Sequence, residues 1–130
     1  MKLRCTNNSL RLRVRKSDLE ILQQKGSISE SLTFGPQIHF RFSLKIAQDL
    51  AEVQARFENN EMSVYLPVQQ AEIWINSNQV GIQTTSSATP DSEALDILIE
   101  KDFPCDDRPN EDKNDTFWEL ANKEGKSEIC

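Results

Sequence analysis

The chain has 130 residues, 37% of them hydrophobic and 28% charged, which suits one globular domain of ordinary composition. No apolar run approaches the roughly 18 residues that span a bilayer, and Met1 to Cys5 turns polar at once, so neither a membrane segment nor a secretion signal is expected. Three scattered cysteines, Cys5, Cys105 and Cys130, do not make a disulfide framework, and a single histidine, His39, excludes a multi-histidine metal site. The expected compartment is the cytoplasm, and no cofactor or metal is expected.

The net charge of −6 is unevenly placed. Residues 1–16 carry Lys2, Arg4, Arg11, Arg13, Arg15 and Lys16 with no acid, whereas residues 102–130 carry nine acids against four bases. The two ends can pair with each other. Overall acidity argues against nucleic-acid binding, which depends on neutralising phosphates.

In chain order, Ser9 to Arg15 alternates with period two and predicts a half-buried strand with Leu10, Leu12 and Val14 inward. Ser17-Asp18-Leu19-Glu20 reads as a capping box, and Gly26 is placed to end the helix it opens. Ser27 to Phe34 and Ile38 to Ile46 predict two strands joined by a Gly35-Pro36 turn. Val53, Ala55 and Phe57 form a further strand. Asn59-Asn60 makes a tight hairpin to Met62, Val64 and Leu66.

Pro67 opens a second helix, with Val68, Ala71 and Ile75 on one side and Trp74 as core. Strands at Gln79 to Thr85 and Leu95 to Ile99 flank a polar loop, Ser86 to Ser92. Thr116 to Lys123 is expected to form a short helix anchored by Phe117, Trp118 and Leu120, with Glu124 to Cys130 frayed. Sliding the chain by 52 positions superposes one strand–helix–strand pattern on another: Val14 falls on Leu66, Leu22 on Trp74 and Ile28 on Val80. Two readings are open: a true repeat, which implies pseudo-twofold symmetry, or the chance match that any two strand–helix–strand units of similar length give.

Three stretches carry a resemblance. They are Asn8-Ser9-Leu10-Arg11-Leu12-Arg13, Gln79-Val80-Gly81-Ile82, and Glu100-Lys101-Asp102-Phe103 followed by Cys105, Arg108 and Glu111-Asp112. The set resembles a family of small bacterial proteins known only as a domain of unknown function, over residues 1 to about 115. The resemblance implies no assigned activity, so no catalytic residue is carried over.

The candidate site is cationic. Arg11, Arg13 and Arg15 project to one side of the first strand, and Arg41 and Lys45 share a face of another. If those strands are neighbours, five cations converge. Three readings are open: a solvated or salt-bridged face, an anion site for phosphate, nucleotide or polyphosphate, and nucleic-acid contact. Cys105 lies near Arg108 but beside Asp106 and Asp107, which oppose thiolate formation; a disulfide to Cys5 requires the two strand ends to meet. The acids from Asp102 to Asp115 lack the calcium-loop pattern and are expected to be solvated or docked on the basic strand. There is no Gly-x-Gly, Gly-x-Ser-x-Gly or His-Glu-x-x-His motif.

The expected fold is α+β: a curved antiparallel sheet of about seven strands, barrel-like, with two helices, over residues 1–103. Residues 104–130 form an acidic, partly ordered tail. The expected function is a non-enzymatic binding or interaction module. Its expected partners are a second copy of the chain, as a homodimer, and an anionic small molecule. The alternative is an enzyme or carrier for such an anion, acting through the arginine face.

Overall fold

Two asparagine pairs organise the chain. Asn7-Asn8 (φ 42° and 59°) and Asn59-Asn60 (φ 53° and 61°) hold the left-handed backbone that a two-residue type I′ hairpin needs. The first joins β1 (Lys2–Thr6) to β2 (Ser9–Val14), and the second joins β5 (Gln54–Glu58) to β6 (Glu61–Pro67). Each hairpin leads into a helix and a second hairpin. These are α1 (Lys16–Lys25), β3 (Ser27–Gly35) and β4 (Ile38–Ala47) in one half, and α2 (Val68–Ile75), β7 (Gly81–Ser86) and β8 (Leu95–Lys101) in the other. The computed structural model describes residues 1–86, 93–103 and 115–120, with a short third helical segment at 118–120.

The halves exchange strands. Sheet A has the order β1-β2-β8-β7 and sheet B the order β3-β4-β6-β5. The central pairs, β2 with β8 and β4 with β6, are parallel; the outer pairs are antiparallel. Among the described residues the arrangement corrects the expected fold in three ways: there are two mixed sheets rather than one antiparallel sheet, eight strands rather than about seven, and no closed barrel. Each central strand has its hairpin partner on one side and its parallel partner on the other. Among the described residues β1, β7, β3 and β5 remain as edges. Alternation could not reveal this, because a half-buried strand alternates alike in parallel and antiparallel ladders.

The pseudo-twofold pattern is present, with a register that sharpens the 52-position offset. Lys2 pairs Arg13 as Gln54 pairs Tyr65, and Leu3 pairs Leu12 as Ala55 pairs Val64. Past the helices the offset grows: Ile28 pairs Leu44 as Ile82 pairs Ile99. Ile28 therefore corresponds to Ile82, not Val80.

Among the described residues the main core lies between the sheets and helices, with a smaller cluster of Phe103 and Leu120 beside it. Leu10, Leu12 and Val14 of β2, Ile97 and Ile99 of β8, Leu44 of β4 and Val64 and Leu66 of β6 meet Leu19 and Leu22 of α1 and Ala71 and Trp74 of α2. Each large apolar side chain buried there contributes about 1.5–3 kcal/mol. Trp74 is fully buried, and its indole N–H donates to Val80 O at 3.0 Å. Gly26 (φ 78°) ends α1 as the sequence predicts. The capping box is different. The Asp18 carboxylate accepts the Arg15 N–H at 2.8 Å, so the helix starts at Lys16. Ser17 instead gives both its N–H and its hydroxyl to Asp115, at 2.9 and 2.7 Å. Among the described residues no helix is long and apolar enough to cross a membrane.

Candidate functional site

Each sheet turns one apolar face to the core and one polar face outward, and both polar faces hold charge. On sheet A the register sets two rows across the strands: Lys2, Arg13, Glu100 and Gly81, then Arg4, Arg11, Leu98 and Gln83. Arg13 sits at the centre and is only 4% exposed. Its Nε lies 3.0 Å from Glu100 Oε1 and 3.7 Å from Asp102 Oδ1. Arg11 Nε donates to the same Glu100 oxygen at 2.6 Å, and Lys2 Nζ donates to Asp102 Oδ2 at 2.9 Å. Two buried carboxylates are thus shared among three cations. Burial lowers the Arg13 pKa, the Glu100 and Asp102 charges oppose that, and Arg11 and Arg4 add to it.

Gly81 ends the first row for a steric reason. A Cβ there would lie 2.9 Å from Ile99 O and 3.2 Å from Glu100 Cβ. Arg13 also lines a small cavity of about 150 Å³ with Lys2, Leu3 and Arg4. Among the described residues neither Nε nor Nη2 of Arg13 makes a hydrogen bond of good geometry, although both are buried and Nε faces Glu100.

Arg15 is apart from this group. It precedes α1, with Asp18 at 3.9 Å and Asp115 at 3.7 Å. Asp115 carries a lowered pKa: burial alone would raise it, but the two Ser17 hydrogen bonds, with Arg15 and Lys16, outweigh that. Residues 115–120 continue the docking. Phe117 N–H donates to Asp102 O at 2.8 Å, and Lys16 and Lys101 stand 5.6 and 5.2 Å from the Phe117 ring centre. Lys16 also pairs Glu119 at 3.2 Å. The basic start of the chain therefore does pair with acids near its end. Asp106, Asp107, Glu111, Asp112 and Cys105 lie outside the described residues, whereas Cys5 is exposed and unbonded.

Arg41 and Lys45 do not join the arginines of β2. They lie on β4, which pairs β3 and β6 in the other sheet. Their rows are Ser31, Arg41, Glu61 and Glu58, then Ser27, Lys45, Tyr65 and Gln54. Arg41 Nε donates to Ser31 Oγ at 3.3 Å, and Lys45 Nζ is 3.8 Å from Glu61 Oε2. Ser43, fully buried, donates its hydroxyl to Glu61. This bond, with Lys45 and Arg41, holds the Glu61 pKa below the usual carboxylate value, against a smaller opposing effect of burial. Lys45 and Arg56 both lie over the Tyr65 ring, at 5.8 and 5.1 Å. A cleft of about 480 Å³ opens beside Arg41, Glu61, His39 and Asn60, and His39 Nδ1 meets Thr33 Oγ1 at 3.2 Å. The cleft can hydrogen-bond a polar ligand from both donors and acceptors.

Sequence reasoning placed Arg11 and Arg13 together but missed Lys2 and Arg4. The signal was present: Asn7-Asn8 repeats Asn59-Asn60 at the same 52-residue spacing. A hairpin there folds Lys2 and Arg4 onto Arg13 and Arg11.

The fold and these faces define an α+β protein built from two ββαββ halves that share their central strands, with a buried charge network on one outer face. The chain belongs to a family of unknown function (DUF7009), whose model matches residues 1–120. No curated protein and no solved structure matches it.

Proposed function

We propose that this protein is a small non-enzymatic binding module that associates through the apolar end of sheet B, with a second copy of the chain as partner. The observation that carries this reading is the exposure of Phe34 (69%), Phe57 (64%), Ile38 (58%) and Leu32 (45%). Alternation along β3 and β4 sets Leu32, Phe34, Ile38 and Phe40 on one face, and the Phe40 ring stacks 6.4 Å from that of Phe57 on β5. Burial falls along β4 from Leu44 through Phe42 and Phe40 to Ile38, so the core face of the sheet runs out into solvent.

These four side chains leave on the order of 400 Å² of apolar surface open, the size of patch that marks an interaction site. That is about half of what one partner contributes to a standard interface. A polar rim supplies the remainder. An apolar sheet face is complementary to itself. Two copies related by a twofold would stack sheet on sheet and cover both patches at once. Among the described residues the corresponding positions of sheet A are not large and apolar: Cys5 stands for Phe57, and Ser86 for Leu32.

The polar cleft fits a binding role better than a catalytic one. Its imidazole is engaged by Thr33, and the nearby hydroxyl held by a carboxylate, Ser43, is sealed from solvent. The unbonded Cys5 is consistent with a reducing compartment such as the cytoplasm.

Light scattering tests the reading. The 14.9 kDa chain should run at twice its mass at micromolar concentration. Phe34→Ser with Phe57→Ser should return it to monomer with its fold intact, since both residues are exposed. A wild type that stays monomeric over the accessible range would overturn the proposal.

A further inference from the structure

We propose that Lys2, Arg4 and Arg13 form a binding site for a small oxyanion of the phosphate class on the outer face of sheet A. The proposal concerns a different sheet from the association surface and does not rest on it.

The central observation is the state of Arg13. Its side chain is almost completely buried, and among the described residues its Nη2 has no hydrogen-bond partner. A buried guanidinium whose donors lack acceptors is costly, and proteins rarely leave one so. Glu100 and Asp102 pair with the Nε side of Arg13, at 3.0 and 3.7 Å, and among the described residues neither accepts a hydrogen bond from Nη2. Glu100 is shared with Arg11, and Asp102 lies nearer to Lys2. Arg13 instead lines the cavity of about 150 Å³ that it forms with Lys2, Leu3 and Arg4. Lys2 and Arg4 have contacts of their own, so the demand for an acceptor comes from Arg13.

The ligand class follows from charge, geometry and size. Three cationic side chains border the cavity, and the Leu3 backbone between two of them keeps Lys2 and Arg4 on the same side of β1. A guanidinium presents parallel N–H donors whose spacing matches two oxygens of a tetrahedral oxyanion. The volume corresponds to roughly five waters. It is well below the roughly 300–1,000 Å³ of pockets that enclose drug-sized molecules. The site therefore takes free phosphate, or the terminal phosphoryl group of a longer molecule whose remainder stays in solvent.

The test uses the full chain. Thermal unfolding and titration calorimetry are run with inorganic phosphate, pyrophosphate and adenosine monophosphate, against sodium chloride at equal ionic strength. A saturable rise of roughly several degrees in the midpoint, beyond that in chloride, is expected. A response to inorganic phosphate identifies the free ion as sufficient. A response confined to the larger two identifies a terminal phosphoryl group. Arg4→Ala, at an exposed position, should fold normally and weaken affinity about tenfold. Because Arg13→Ala disturbs a buried network, Arg13 is followed by the ¹⁵N–¹H signal of its Nε, which should shift in step with binding. No saturable effect from any of the three probes would overturn the proposal. So would binding that leaves the Arg13 signal unmoved and survives Arg4→Ala unchanged.

Discussion

Sheet A and sheet B repeat one register, yet the same positions hold opposite chemistry. Arg13 on β2 corresponds to Tyr65 on β6, and Glu100 on β8 to Lys45 on β4. Sheet A thus has a buried ion pair where sheet B has a half-exposed cation over an aromatic ring. The ends of the sheets differ too. Sheet B carries Leu32 and Phe57 out into solvent, where sheet A has Ser86 and Cys5. Symmetry in the backbone fixes the core, which both halves must fill alike. The outer faces and the exposed ends of the sheets are free of that demand, and it is there that the two sheets carry different side chains.

The largest effect that could break this contrast comes from the paired positions Glu100 and Lys45. Glu100→Ala leaves Arg11 and Arg13 without their shared carboxylate and should cost about 3–5 kcal/mol by denaturant unfolding. Lys45→Ala removes a partly exposed cation and should change stability by less than about 1 kcal/mol. Equal costs would mean that the two faces are not different in kind.

A smaller contrast sits at the sheet edges. Gly81→Ala forces a Cβ against Ile99 O and should cost about 1–3 kcal/mol. At the corresponding exposed Ser27, alanine should stay within about 0.5 kcal/mol. The hairpins share a left-handed backbone but differ in one side-chain contact. Asn60→Gly relieves a left-handed residue and should stabilise by a few tenths of a kcal/mol, up to about 1, whereas Asn8→Gly also loses the bond from Asn8 Nδ2 to Ala94 O at 2.6 Å and should gain less or lose stability. Equal responses would show that the Asn8 side-chain bond contributes nothing.

The smallest effect is acid dependence. Asp115 and Glu61 both have lowered pKa values in the folded protein. Their contribution is present above the ordinary carboxylate range and is lost as pH falls through their folded values. Ser17→Ala and Ser43→Ala should therefore lower stability near neutrality, and the difference from wild type should shrink below about pH 4. A difference that stays constant with pH would show that the hydroxyls act only by packing.

Much of this architecture can be read from the chain. Leu10, Leu12 and Val14 announce β2, Gly26 ends α1, and Asn59-Asn60 turns β5 into β6. β1 is hard to see because Lys2 to Thr6 is short and has Leu3 as its only large aliphatic inside the strand. Without β1, Lys2 and Arg4 read as a basic terminus rather than as one side of a cavity. The partner of β2 is not legible either, since Ile97 and Ile99 alternate as any inward strand would. That is why Arg41 and Lys45 could be imagined beside Arg11 and Arg13. The role of Ser17 was equally hidden, because its partner Asp115 is 98 residues away.

Amide hydrogen exchange at low and high protein concentration measures the division of roles between the sheets most directly. The account predicts that amides near Leu32, Phe34 and Phe57 gain protection as concentration rises, while those of β1 and β7 do not change. Protection that is independent of concentration, or that rises in β1 and β7 instead, would contradict it.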